Sequence, residues 1–151
     1  MDVTVELGAP VPPAALFAAV GDLSRYPAWL EIVPRAEPAA PAPAARPGAA
    51  VLPAWSVALR GRVGPLARSK RLRMVRTLHE PDRHVRFERA ETDGRHHSPW
   101  VLDALVHAAV GGSHLTMVLH YGGGLFGPVL ERILVEEIER SKARLLALLA
   151  G

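Results

Sequence analysis

From residue 51 to residue 121 apolar and polar side chains alternate, and the alternation is broken at four turn signals: Gly64 and Pro65, Pro81 and Asp82, Asp93 and Gly94, and Gly111 and Gly112. A period of two sends successive side chains to opposite faces of a strand, and such turn residues fold consecutive strands into antiparallel hairpins. Cross-strand neighbours share a face, so each turn predicts a register that can be tested against the pattern. The first sets Val57 opposite Leu72 and Trp55 opposite Met74. The second sets Leu78 opposite Val85 and Arg76 opposite Phe87. The third, read as a two-residue Asp-Gly hairpin, sets Phe87 opposite Trp100 and Val85 opposite Leu102. The fourth sets Val106 opposite Met117 and Ala104 opposite Leu119. All four keep one apolar face, while His84, Arg86, Glu88, Asp103, His107, His114 and Thr116 fall on the other. A slip of one residue at any turn would destroy this agreement.

Outside the hairpins the period changes. Val3, Val5 and Leu7 predict a first strand; Pro10, Pro12 and Pro13 end it and open a short helix over residues 12–20. A second short helix is predicted over residues 23–30, capped by Asp22 and interrupted by Pro27, and a brief strand over 32–35. Residues 36–49 are rich in alanine and proline without periodicity and predict a mobile loop. After a glycine turn at residues 122–124, Leu130, Ile133, Leu134, Ile138, Ser141, Leu145 and Leu148 recur at helical spacing over residues 126–149. A helix of about 24 residues is ~36 Å long, enough to cross the whole sheet.

The predicted order is a strand, two short helices, six strands and a long helix. Together with the segment Asp22-Leu23-Ser24-Arg25-Tyr26-Pro27-Ala28-Trp29, the run Gly112-Ser113-His114-Leu115-Thr116 and the helix end over residues 141–148, it resembles the START-like (SRPBCC) superfamily. The resemblance covers nearly the whole chain. It implies a single α+β domain over residues 1–151 of the helix-grip type: a curved antiparallel sheet of about seven strands wrapped around a long C-terminal helix. It also implies a cavity between sheet and helix. Superfamily members include lipid and sterol carriers, polyketide aromatase/cyclases and chaperone cofactors, and a shared fold does not select among them.

Strand parity nominates the lining of that cavity. Trp55, Val57, Leu72, Met74, Val85, Phe87, Trp100, Leu102, Met117, Leu119 and Tyr121 point inward, joined by Leu134 and Ile138 from the helix. The same parity puts Arg76 and Arg89 on the concave face, with Glu91, His96 and Ser98 nearer the third turn and Glu137 beside the helix stripe. A buried guanidinium must find a carboxylate, water or a ligand anion. Arg76 therefore pairs with Glu137, lies along a neighbouring strand or meets a ligand, and Arg89 either pairs with Glu91 or meets a ligand. The first functional reading is binding of a hydrophobic or aromatic amphipathic molecule, lipid-like or polyketide-like. An alternative is a polyketide cyclase-like enzyme in the same cavity, with Arg76 and Tyr121 as candidate catalytic groups that stabilise an enolate and move protons. A second alternative is a protein that presents its basic sheet face to a partner.

Composition narrows these readings. There is no cysteine, so disulfides and thiolate metal sites are excluded, and seven histidines without a helical i, i+4 pair predict no metal site. No cofactor is implied. His107 and His114 are expected to meet across the last hairpin. Ser98 lacks a nucleophile-elbow context. The net charge is +3, with Arg60, Arg62, Arg68, Lys70, Arg71, Arg73 and Arg76 clustered. Without interleaved exposed aromatics this cluster reads as a solvated face or a steering surface for anions, and nucleic acid is not an expected partner. No apolar run reaches the ~20 residues of a membrane span and the N-terminus does not resemble a signal peptide, so a cytoplasmic monomer or homodimer is expected.

Overall fold

The computed structural model describes residues 1–42, 46–61, 69–122 and 127–151. The turn at Gly64 and Pro65, most of the 122–124 turn and the predicted helix start at residue 126 lie outside the described residues. Seven strands, β1 (Asp2–Ala9), β2 (Arg35–Ala42), β3 (Leu52–Leu59), β4 (Lys70–Glu80), β5 (His84–Arg89), β6 (Trp100–Ala109) and β7 (Gly112–Tyr121), form one sheet in the order β1-β7-β6-β5-β4-β3-β2. Every neighbouring pair is antiparallel. Strands β2 to β7 are a meander. β1 closes on β7, so the two sheet edges are joined in sequence by α1 (Pro13–Val20) and a 3-10 helix (Leu23–Ala28). The long helix α2 (Gly127–Ala150) buries Ile133, Leu134, Ser141 and Leu145. Together these elements make the helix-grip arrangement.

Local chemistry explains the short elements. Pro13 opens α1, where the missing N–H would have no partner. Asp22 accepts hydrogen bonds from the Ser24 amide at 2.9 Å and hydroxyl at 2.6 Å, capping the next turn. The helix predicted over 23–30 is a 3-10 turn ending at Ala28, because Pro27 supplies no amide to continue it.

The registers test the sequence reading directly. Trp55 faces Met74 and Val57 faces Leu72, as the pattern predicts. Arg76 faces Phe87, but an irregularity between Arg76 and Leu78 then moves Leu78 opposite Arg86 and sets His79, not Leu78, opposite Val85. The extra residue, Thr77, flips parity beyond it. His79 consequently stacks on Phe17 of α1, with ring centroids 5.7 Å apart. Phe87 pairs with Leu102 rather than Trp100, and Val85 with Ala104 rather than Leu102. The third connection is a loop over residues 90–99, in which the Asp93 carboxylate accepts from the Arg95 amide and Gly94 has φ +74°. In the last hairpin Ala104 pairs with Met117 and Val106 with Leu115, because the turn sits on Val110 and Gly111 (φ +78°). Both of these shifts are by two residues, so every side chain keeps its predicted face.

The alanine-proline stretch is the larger correction. Residues 35–42 form β2, whereas a brief strand over 32–35 and a loop over 36–49 were expected. Ile32 and Val33 are buried just before the strand. β2 lies at the sheet edge, paired only with β3, and an edge strand tolerates Pro38 and Pro41 because half of its amides have no ladder partner. At the other end, Leu148 is 45% exposed although its spacing placed it on the inner stripe.

The polar convex face is knitted by ion pairs. His84 Nε2 lies 2.6 Å from Asp103 Oδ1, to which Arg86 Nε also donates at 2.9 Å. His107 and His114 are ladder partners with stacked rings 5.0 Å apart, the juxtaposition predicted for them.

Candidate functional site

Between the concave face, the 3-10 segment and α2 lies a cavity of about 90 Å³. Its sheet wall is built by Val57, Leu72, Met74, Trp100, Leu102, Met117 and Leu119, and α2 contributes Leu134 and Ile138. All nine stood in the inward set nominated from strand parity and the helix stripe. The remainder of the wall was not nominated: Val3 and Val5 of β1, Leu59 of β3, Leu23 and Tyr26 of the 3-10 helix, and Trp29, Leu30, Ile32 and Val33 after it. For the residues of the 23–33 segment the signal existed in its density of apolar and aromatic residues, but a non-periodic segment carries no face information; Val3, Val5 and Leu59 share the alternation of their strands and could have been nominated from it.

The other nominated residues do not reach the cavity. Trp55 and Phe87 pack edge-to-face at 5.5 Å, and Tyr26 meets Phe87 at 6.3 Å, so this end of the concave face is filled aromatic core. Arg76 does not pair with Glu137. Its Nη1 donates to the Gly21 carbonyl at 3.1 Å and its guanidinium lies 5.8 Å from the Trp55 ring centroid. Gly21 caps the C-terminus of α1, where a cation is favoured. Buried Glu137 pairs instead with Arg140 one turn along α2. Arg89 Nε donates to Glu91 at 3.0 Å, and its Nη2 lies 3.3 Å from His97 Nδ1. His97 Nε2 in turn sits 2.8 Å from Asp93. Burial works to raise the Glu91 carboxyl, but the Arg73 amide and the Arg89 guanidinium outweigh it and hold the group below its ordinary range. Tyr121 is buried against Trp100, with stacked rings 5.2 Å apart; its hydroxyl lies 2.8 Å from Met1 Sδ and donates to the Gly127 carbonyl at 3.1 Å. Burial, assisted by Glu131, raises its pKa.

The cavity wall offers almost no chemistry. Tyr26 donates to the Val20 carbonyl at 2.8 Å and Trp29 Nε1 to the Ala19 carbonyl at 3.2 Å, so both polar tips are spent on α1. Burial, then the Asp22 charge, pushes the Tyr26 hydroxyl far above its ordinary pKa and keeps it neutral. Among the described residues, no carboxylate, imidazole or guanidinium lines the cavity, and no group of three or more side chains could hold a metal ion. No helix among them is long and apolar enough to cross a membrane.

Cations gather where β2 and β4 begin and β3 ends. Lys70 Nζ lies 5.6 Å from the centroid of Trp100, whose ring is cavity wall. A separate groove of about 480 Å³ is lined by Pro34, Arg35, Ala58, Arg60, Ser69, Lys70 and Arg71. Arg35, Ala58 and Arg71 are successive ladder partners across β2, β3 and β4, so the small Ala58 leaves a gap between two guanidinium side chains.

A family model described as "Polyketide cyclase / dehydrase and lipid transport" matches residues 1–150. No curated protein matches the chain. Solved structures that resemble it include the Zhui aromatase/cyclase from a Streptomyces species (TM-score 0.70, 11% identity, covering 99% of this chain and 93% of that one). A START superfamily protein from Mycobacterium smegmatis gives TM-score 0.68 at 13% identity over 99% of this chain and 96% of the other. A protein from Thermus thermophilus gives 0.66 at 18% over 97% and 98%. At these identities the likeness is one of fold.

Proposed function

The chain belongs to the polyketide cyclase/dehydrase and lipid-transport family, and from that premise we propose that it binds a small apolar or amphipathic molecule in the cavity between the sheet and α2. The observation that carries this reading is the wall itself: carbon-rich on every side and assembled from β1, β3, β4, β6, β7, the 3-10 segment and α2. An apolar void inside a protein forfeits dispersion contacts that a ligand can restore. Its volume is below the roughly 300–1,000 Å³ of drug-sized sites, so a larger ligand must displace side chains. Met74 and Met117 are suited to that, being unbranched and readily repacked.

The cyclase-like alternative receives less support from the geometry. Its candidate groups, Arg76 and Tyr121, are occupied by Gly21 and by Met1 and Gly127, away from the cavity wall. Binding is therefore the reading that the arrangement favours over turnover.

Melting the purified protein against fatty acids, sterols, flavonoids and aromatic polyketides tests this. A ligand at about 100 times its Kd adds about 2.7 kcal/mol, a rise of roughly 5–10 °C for a domain of this size. A rise confined to one chemical class is the expected outcome. Flat melting temperatures across the panel would sink the reading.

A further inference from the structure

Arg35, Ala58 and Arg71 form one row across β2, β3 and β4. Arg60 follows two residues after Ala58, and its amide donates to the Ile32 carbonyl at 2.9 Å, which carries the β2–β3 alignment past the strand end. The chain neighbours Leu59 and Leu72 line the cavity, so alternation turns the arginine row to the convex side of the sheet. The groove that this row lines with Pro34, Ser69 and Lys70 is therefore a second site, and no residue lines both it and the cavity. Lys70 shares the parity of Leu72 and carries its ammonium to the Trp100 ring, which leaves three guanidinium groups as the charge of the groove. We propose that the groove binds a phosphorylated small molecule, its phosphoryl group bridged between Arg35 and Arg71 with Arg60 beside it.

Charge balance supports the assignment. No aspartate or glutamate occurs in the sequence between Glu37 and Glu80. Among the described residues no carboxylate pairs with Arg60 or Arg71, and no acidic side chain lines the groove. Arg35 meets Glu37 at 3.5 Å, but the two side chains are 66% and 64% exposed, and such a pair yields readily to a stronger anion. Other cations of the convex face are already engaged: His84 and Arg86 by Asp103, His114 by Glu6, and Arg73 by the Ala40 and Ala90 carbonyls. Positive charge is left unmatched at this corner of the sheet.

Geometry selects the ligand. Arg35 and Arg71 stand two strand spacings apart, roughly 10 Å at the backbone, with only the Ala58 methyl between them. A planar carboxylate spends both oxygens on one guanidinium fork, whereas a tetrahedral phosphoryl group has oxygens to accept from both sides at about 2.8 Å. The surroundings limit its size. Glu37 beside the groove, and Glu88, Asp103 and Glu6 further across the face, oppose an extended polyanion, and no aromatic ring lines the groove for bases to stack on.

The test is a titration of phenyl phosphate and of benzoate at constant ionic strength, followed by backbone amide NMR shifts. Phenyl phosphate should give saturable shifts centred on residues 35, 58–60 and 69–71, with an affinity about tenfold above that of benzoate. Arg71→Gln, an exposed substitution, should weaken phenyl phosphate by about tenfold, whereas Arg86→Gln, which removes a convex cation held by Asp103, should not. Shifts that never saturate or that spread evenly over the convex cations would overturn the site, as would unchanged affinity in Arg71→Gln. Equal affinity for benzoate would overturn the phosphoryl assignment. Parallel titrations use a single-stranded oligothymidylate and phosphatidylserine vesicles; if either perturbs these residues while phenyl phosphate does not, the compact ligand is refuted.

Discussion

Arg76, Arg89 and Tyr121 all occupy the concave parity that made them candidates, and each is engaged by a neighbour of the fold. Arg76 ties α1 to β4 through the Gly21 carbonyl, Arg89 is held by Glu91, and Tyr121 links the end of β7 to Met1 and to the start of α2. Parity tells which way a side chain leaves the backbone, not what it meets. A buried guanidinium or hydroxyl takes a partner wherever one is close enough, since leaving it bare costs about 1–3 kcal/mol. Tyr121→Phe should therefore lower unfolding free energy by about 1 kcal/mol in a denaturant titration, with ligand affinity unaltered. A large loss of affinity with intact stability would return Tyr121 to the site. Glu91 yields a pH prediction. Its carboxyl is depressed in the folded state, so its contribution is complete above its unfolded value and is lost as pH falls through the lower folded one. Below about pH 4.5 the native protein should lose melting temperature more steeply than Glu91→Gln. Parallel acid limbs for the two proteins would refute this.

At the level of elements, two hairpins differ from prediction by two residues and still present the predicted faces. A sheet's side-chain period is two, so hydrophobic patterning fixes the face of each residue but does not distinguish registers two apart. Turn geometry decides between them: the positive φ of Gly111 places the last turn one residue earlier than expected, and the 90–99 loop replaces a tight turn. Gly112 shows a further constraint. A Cβ there would stand 2.1 Å from the Ala9 carbonyl oxygen of β1. Gly112→Ala should therefore pry β1 from the start of β7 and destabilise the protein by about 1–3 kcal/mol, with amide exchange in β1 accelerated most. Unchanged exchange there would show that the strand can give way without cost.

For the molecule as a whole, the void is a property of closure. Strands, 3-10 segment and α2 each bring a few apolar side chains, and the space left between them depends on how closely they approach. Enlarging one wall residue offers a direct check. Leu102→Trp should fill the void, abolish binding of any ligand found by the melting screen, and change stability by no more than about 1–3 kcal/mol. Retained affinity would place the ligand elsewhere.

The alternation from Trp55 to Tyr121 determined the sheet, the inner face and seven residues of the cavity wall, because burial of one face is a local, periodic property of the chain. The stripe on α2 determined which side of the helix turns inward, for the same reason. Tertiary structure decided the rest. β2 exists because β3 offers it an open edge, which no periodicity in an alanine-proline stretch announces. The bulge after Arg76 turned His79 inward toward Phe17. Leu23, Tyr26 and Trp29 entered the wall only through the path of the chain between the two sheet edges. Lys70 of β4 came to lie over Trp100 of β6 only in the folded sheet, where β5, the strand between them, ends at Arg89 opposite Met74. Patterning acts within an element, whereas a cavity and the charge at its rim arise from distances between elements, and those are set by packing.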